Sequence, residues 1–579
     1  MKRSILIIMA LALYCQSYAQ NLLKFEWKFK TGDAPEWASE NFNDSGWSLI
    51  QAGVLWENQG YLDYDGFAWY RQKVFVPLSL KSEAKKNGGM TLYLGKIDDA
   101  DYTYWNGELL GRTGDLPPNY KGAYDTQRSY EIPFDKIKWG AENALAVRVY
   151  DAGGGGGIYG EKIGCYVKGI EELVEIKPVF ERNDRLYLVP GDIKIPIHIV
   201  SHYKQKLSGS LTVKVVSDFG ENIVSRSMDF SLQPGKSLQP VFTLGALDPG
   251  FYSIYTYLES STDNKKIRFN IGVRPEEIVS PQDRPADFEN YWQRARKELA
   301  AVDPQFRLLR QDSLCTQTRE VFIVEMRSLG NILIRGWYIR PVKPGKYPAI
   351  LHVQGYSTFL VPEWMYPGDD MVAFGLNIRG HGFSQDDINP GFPGYLLYFL
   401  NDKELYIYRG AYMDCIRAVD FLFSREEVDT TRVAVEGGSQ GGALSFATAA
   451  LDNERIACCA PQVPFLSDFQ DYFKVAVWPA SEFHEYMKGH PDIPPERVFE
   501  TLSYIDIKNL ASWIKAPVFM AVGLMDETCP PHINFAAYNQ LKVPKKYMVY
   551  PESGHGLPSE FNAVKYEWIK KQFHMTMTE

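Results

Sequence analysis

The chain has 579 residues, a formal net charge of −9 at pH 7, 45% hydrophobic and 23% charged residues. At about 150 residues per domain that length exceeds a single core, and the composition excludes a disordered chain. The acidic balance argues against nucleic acid or an anionic membrane as partner, since both would repel it.

Met1 to Ala19 reads as a secretory leader. Lys2 and Arg3 form its basic end, Ile5 to Leu13 its apolar stretch and Ser17-Tyr18-Ala19 a small-x-small site. Cleavage before Gln20 and an exported location, periplasmic or extracellular, are therefore expected. A lipid anchor at Cys15 is the rival reading, disfavoured by the bulk of Tyr14 just before it. No other run approaches about 18 uninterrupted apolar residues, so no membrane span is expected. Past the leader the cysteines are Cys165, Cys315, Cys415, Cys458, Cys459 and Cys529. None has zinc-ligand spacing, and their apolar surroundings suit buried free thiols.

Residues 20–175 alternate short β-type runs, such as Trp69-Tyr70-Arg71 and Ala146 to Tyr150, with turn signals such as Asn87-Gly88-Gly89. This spacing predicts an all-β sandwich, with a type I′ hairpin at Asn106-Gly107. The segment resembles the jelly-roll, galactose-binding-like domain of sialate O-acetylesterases and related glycosidases. The resemblance lies in Asp44-Ser45-Gly46-Trp47, Leu94 to Asp101, and Val147 to Asp151 before five glycines. Trp56 and Trp69 are its candidates for stacking on sugars, against the plainer reading that they fill the sandwich core.

Residues 176–274 carry period-two runs at Lys194 to Val200, Ser210 to Val216 and Phe251 to Tyr257, with Pro-Gly turns at 190–191, 234–235 and 249–250. An immunoglobulin-like sandwich is expected, without chemistry of its own. His198 and His202 have no carboxylate or thiol cluster beside them in sequence and read as ordinary strand residues. Arg274 to Pro285 reads as a linker or a tight connection.

Residues 275–579 change pattern. An amphipathic helix over Ala286 to Ala300 leads to apolar strands at Tyr347 to Val353, Met371 to Asn377, Val433 to Val435 and Pro517 to Val522, with helical stretches between. Strands buried on both faces predict a parallel sheet in an α/β fold, whose active groups sit at the strand C-terminal ends. One such end carries Gly437-Gly438-Ser439-Gln440-Gly441, a Gly-x-Ser-x-Gly turn between strand and helix that lifts a serine above the sheet. Asp526 follows the strand at Val522, and His555 lies in Ser553-Gly554-His555-Gly556. The order Ser, Asp, His is that of an α/β-hydrolase, with Ser439 as nucleophile, His555 as base and Asp526 orienting it. The backbone N–H groups of Tyr356 and Gln440 are the expected oxyanion hole. Glu527 and Glu552 compete with Asp526, and His381 with His555. Arg379 reads as a tie between loops.

These residues resemble the acetyl xylan esterase and cephalosporin C deacetylase family, carbohydrate esterase family 7. Val522 to Pro531 and Phe535 to Asn539, Gly437 to Gly441, Val463 to Leu466, Phe499 to Tyr504 and Gly391 to Gly394 carry the likeness. His381 and Gly556 stand where that family has Gln and Glu. The resemblance implies a serine carboxylesterase that removes O-acetyl groups from plant-type oligo- or polysaccharides such as acetylated xylan. It implies no metal or cofactor, and it leaves homo-oligomer formation open. Two readings from other classes stay beside it: a glycan-binding protein with an inactive hydrolase domain, and a serine peptidase of the prolyl-oligopeptidase type.

Overall fold

The computed structural model describes residues 21–575, apart from 63, 262, 363–364 and 366–367. The expected leader at Met1 to Ala19 lies outside the described residues. Two antiparallel sheets close over the first core. One runs in the order Ser48–Gln51, Glu26–Thr31, Gly66–Val76, Ala141–Asp151, Ala100–Trp105, Glu108–Thr113; the other sets Gly89–Asp98 between Gln127–Pro133 and Gly157–Val167. Period-two alternation decides which side chains go inward. Trp27 and Phe29 on one sheet meet Met90, Leu92 and Leu94 on the other. Asn106 and Gly107 both have positive φ, 51° and 85°, as a type I′ turn requires. Trp56 and Trp69 are fully buried, so neither offers a face to a sugar.

The second pair of sheets closes over Ile193, Ile195, Ile197 and Ile199 from one side and Leu211, Val213, Val215, Ile254 and Phe269 from the other. Its five-stranded sheet runs Leu186–Tyr187, Asn264–Val273, Gly250–Ser260, Leu207–Ser217, Asn222–Leu232. The connection that follows is strapped down. Ile278 packs into the third core, Ser280 donates to Asp468 at 2.6 Å, and Asn539 donates to the carbonyls of Pro275 and Ile278.

The third unit is a nine-stranded sheet with helices on it. Its order is Arg307–Arg310, Arg319–Arg327, Leu333–Pro341, Val372–Asn377, Tyr347–Val353, Val428–Gly438, Cys458–Gln462, Val518–Gly523, Lys545–Tyr550. The first three strands are antiparallel, and from Val372–Asn377 onward all neighbours are parallel. The four apolar strands read from sequence are among its central members. The antiparallel edge and two further parallel strands were not read, for physical reasons. Cys458–Gln462 is five residues long and contains Pro461, and the edge strand Lys545–Tyr550 carries two lysines, so neither displays the apolar run of a doubly buried strand.

The helix Ile407–Phe423 lies against the serine-bearing helix Gln440–Leu451 and is fixed by a buried ion pair. Arg379 Nε and Nη2 reach the two oxygens of Asp414 at 2.9 and 2.7 Å, and Asp414 also accepts the Arg379 backbone N–H. The pair ties the loop after Val372–Asn377 to that helix.

Candidate active site

Ser439 sits between the strand Val428–Gly438 and the helix Gln440–Leu451 with φ 59° and ψ −122°, a strained conformation for a residue with a Cβ. Neighbouring glycines make the elbow possible. A Cβ on Gly437 would come 2.4 Å from the Val353 carbonyl oxygen, and one on Gly441 would come 2.2 Å from it. The Ser439 N–H donates to Gln462 O at 2.9 Å, and its carbonyl accepts from Phe465 and Ala443. With the backbone held at both ends, the side chain is left half-buried at the sheet's C-terminal rim, 4.0 Å from the Cys529 sulfur.

Asp526 follows the strand Val518–Gly523, and its side chain is sealed from solvent. One carboxylate oxygen, Oδ1, accepts the backbone N–H groups of Thr528 and Cys529, each at 2.9 Å. The other, Oδ2, accepts His555 Nδ1–H at 2.9 Å. The imidazole is itself about one-third exposed, with Nδ1 anchored on Asp526. The rivals are engaged elsewhere: Glu527 pairs with Arg268, and Glu552 with Arg185.

Gln440 follows Ser439 directly, and its side-chain nitrogen lies 3.3 Å from the carbonyl oxygen of Gly355, the residue before Tyr356. Among the described residues, no protein acceptor takes the backbone N–H of Tyr356 or of Gln440. The Gln440 N–H opens a twelve-residue helix whose dipole favours negative charge there. Both side chains are locked. Tyr356 donates its hydroxyl to Glu482 at 2.8 Å. The Gln440 amide oxygen accepts from Tyr408 at 2.6 Å, and its nitrogen donates to His381 Nε2 at 3.2 Å. His381 is therefore an acceptor for the Gln440 side chain. Burial pushes its pKa down to about 4, which keeps it neutral. Around Tyr356, Phe392 and the half-exposed Trp478 form an aromatic rim at centroid distances of 5.0 and 6.0 Å.

Beneath the elbow, buried Glu436 binds His352 and, at 2.7 Å, Lys565. Burial alone would raise its pKa, but the Lys565 and His352 partners hold it well below the carboxylate range. Sequence reading passed over this residue, although a carboxylate inside Val433-Ala434-Val435-Glu436 was itself a sign of a buried cation. The interaction of Gln440 with Tyr408 and His381 carried no local signal.

Among the described residues, two groups of side chains have metal-ligand spacing, with ligand atoms within 4.8 Å of one another: Asp468, Asp471 and His532, and Asp98, Asp99 and Asp151. Protein cations balance the first. Lys508 reaches Asp468 at 3.0 Å. His532 binds Asp218 at 2.8 Å and Asp471 at 3.4 Å, and these partners lift its pKa to about 9 against the effect of burial. In the second, burial and the neighbouring carboxylates push Asp98 up to about 7 and Asp151 up to about 6. Neither group includes Ser439, Asp526 or His555.

A protein-family model described as acetyl xylan esterase matches residues 276–572, just over half of the chain. The chain is 28% identical over 375 residues to an acetyl esterase, Axe7A, of Xylanibacter ruminicola, covering 62% of this chain and 83% of that one. Among solved structures, an acetyl xylan esterase from a Thermoanaerobacterium species and one from a Paenibacillus species are each 32% identical. Each match covers 52% of this chain and 98% of the other, with a TM-score of 0.49. The family match spans the whole segment that holds the serine elbow, the Asp526–His555 pair and the parallel sheet. The chain belongs to the acetyl xylan esterase family and is a carbohydrate acetylesterase.

Proposed function

We propose that this protein is an exported serine esterase that removes O-acetyl groups from plant-type oligo- or polysaccharides such as acetylated xylan. The observation that carries the reading is the strained Ser439 elbow in the same sheet end as the anchored Asp526–His555 pair. In the reaction, Ser439 Oγ attacks the acetyl carbonyl carbon as His555 Nε2 accepts its proton, and Asp526 stabilises the imidazolium. The carbonyl electron pair moves onto the oxygen, which the Tyr356 and Gln440 N–H groups receive; removing one such donor typically costs about 3 kcal/mol. Collapse expels the sugar alkoxide, which takes the proton from His555. Water, deprotonated by His555, then attacks the acetyl-enzyme, and as the bond to Oγ breaks Ser439 takes the proton back from His555 and acetate leaves.

The Met1 to Ala19 leader pattern supports export. The first two units are read as a galactose-binding-like jelly roll over 20–175 and an immunoglobulin-like sandwich over 176–274, with the esterase at 275–579. The facing pairs of β-sheets in the first two units support this division. Labelling with a serine-directed fluorophosphonate, followed by peptide mapping, tests the nucleophile. A single adduct on the peptide bearing Ser439 is expected, and an enzyme that turns over acetyl esters yet takes no label there contradicts the assignment.

A further inference from the structure

We propose that the second β unit is a working wall of the active site, in which Asn270, with Arg268 and Arg185, acts as a positioning residue for the loops that carry Asp526 and His555. The proposal rests on the assignment of those two residues as the orienting acid and the base.

The outer side of the Gly250–Ser260 and Asn264–Val273 strands meets the back of the acid loop. Asn270 donates its side-chain N–H to Leu524 O at 2.6 Å, two residues before Asp526. Its amide oxygen accepts the Ser253 hydroxyl at 2.9 Å, which fixes the amide with its NH₂ toward the loop. Two residues away on the same face, Arg268 pairs with Glu527, the residue after Asp526. Arg185, largely buried and seated 4.7 Å from the Phe180 ring, pairs with Glu552, three residues before His555. Beyond the loop, Asp218 binds His532 at 2.8 Å and Phe251 packs against Phe535, so the helix Pro531–Tyr538 is held from the same side.

The two catalytic loops are joined, so a constraint on one is a constraint on both. The Leu524 N–H donates to Tyr550 O at 3.1 Å and the Met525 N–H to Ser553 O at 2.9 Å. A Cβ on Gly523 would lie 2.3 Å from Gly554 O, so the backbones are in contact. Between wall and loop remains a cleft of about 210 Å³, lined by Ser253, Tyr255, Asn270, Asp526 and Glu527. On the side that faces this cleft, the loop is met by the polar contacts of Asn270 and Arg268. Removing the bond to Leu524 O therefore lets the Asp526 carboxylate shift relative to His555. Misplacement on the scale of an ångström costs on the order of 10²-fold in rate.

The test is steady-state kinetics of the full-length protein on 4-nitrophenyl acetate and on an acetylated sugar, for wild type, Asn270→Ala, Asp526→Asn and the double variant. Asn270→Ala is expected to lower kcat about 10- to 100-fold on both substrates with KM unchanged. In the Asp526→Asn background it is expected to add less than about twofold, because it acts through the residue already lost. A wild-type kcat in Asn270→Ala beside a crippled Asp526→Asn overturns the proposal and leaves the catalytic assignment standing. The same loss in both backgrounds also overturns it. An unimpaired Asp526→Asn removes the assignment itself and the proposal with it. If Asn270→Ala does not fold, Arg268→Gln, on the more exposed edge, is read in the same cycle with a loss of about 10-fold expected. A wild-type kcat there overturns the proposal.

Discussion

Asp526→Asn is expected to lower kcat by about 10⁴-fold while leaving KM and thermal stability near wild type. The size follows from the hydrogen bonds around the carboxylate. Oδ1 accepts the Thr528 and Cys529 N–H groups, so an asparagine at 526 keeps its carbonyl oxygen there and turns its NH₂ toward His555. That NH₂ is a donor facing Nδ1. The imidazole must then carry its proton on Nε2, the nitrogen that has to accept the Ser439 proton. The fold loses one acceptor and the reaction loses its base. Initial rates on 4-nitrophenyl acetate, with a melting curve for each protein, measure both. A loss of tenfold or less contradicts the role given to Asp526.

The second large effect is on stability. Asp414→Ala is expected to cost about 3–5 kcal/mol, because it leaves the Arg379 guanidinium buried without its counter-ion. Arg379 is 6% exposed and Asp414 is fully buried. The remaining Arg379 contact, Nη2 to Leu329 O at 3.0 Å, carries no charge. The lesion reaches the site through the helix Ile407–Phe423, whose Tyr408 holds the Gln440 amide. Urea unfolding of wild type and variant measures it, and a difference below about 1 kcal/mol shows the pair to be structurally idle.

How much was legible in the sequence depends on the range over which its signals act. The elbow announces itself locally: Gly437 and Gly441 are demanded by the approach of the Val353 carbonyl, and the serine lies between them. Asp526 and His555 could be named from strand-end position and order, since a parallel sheet gathers its strand ends on one rim. Choosing Asp526 over Glu527 from sequence rested on a single step along the chain. In the structure that step separates a carboxylate turned to His555 from one turned to Arg268. The period-two isoleucines of 193–199 announced the second unit, and the Asn106-Gly107 turn a hairpin of the first.

What escaped was long-range and polar. Asn270 and Arg268 lie on one strand whose alternation discloses which side faces out, but not what waits there, and Arg185 reaches Glu552 across 367 residues. His381 is the competitor that the sequence offered beside His555. A histidine in a glycine turn near a strand end invites a catalytic reading. Its burial and its contact with the Gln440 amide make it a neutral acceptor for that amide. The charged edge strand Lys545–Tyr550 was missed because it pairs on one side only, and so never needed the apolar run by which its neighbours were found.

The central claim is that Ser439 delivers the acetyl group of a carbohydrate ester to water. Its most direct test is acetate release from acetylated xylo-oligosaccharides by the full-length protein beside its Ser439→Ala variant, each checked for an unchanged melting curve. The account predicts release by the wild type and a loss of at least about 10³-fold in the variant. Release that persists in Ser439→Ala, or a wild-type protein that leaves every acetyl ester intact, would contradict it.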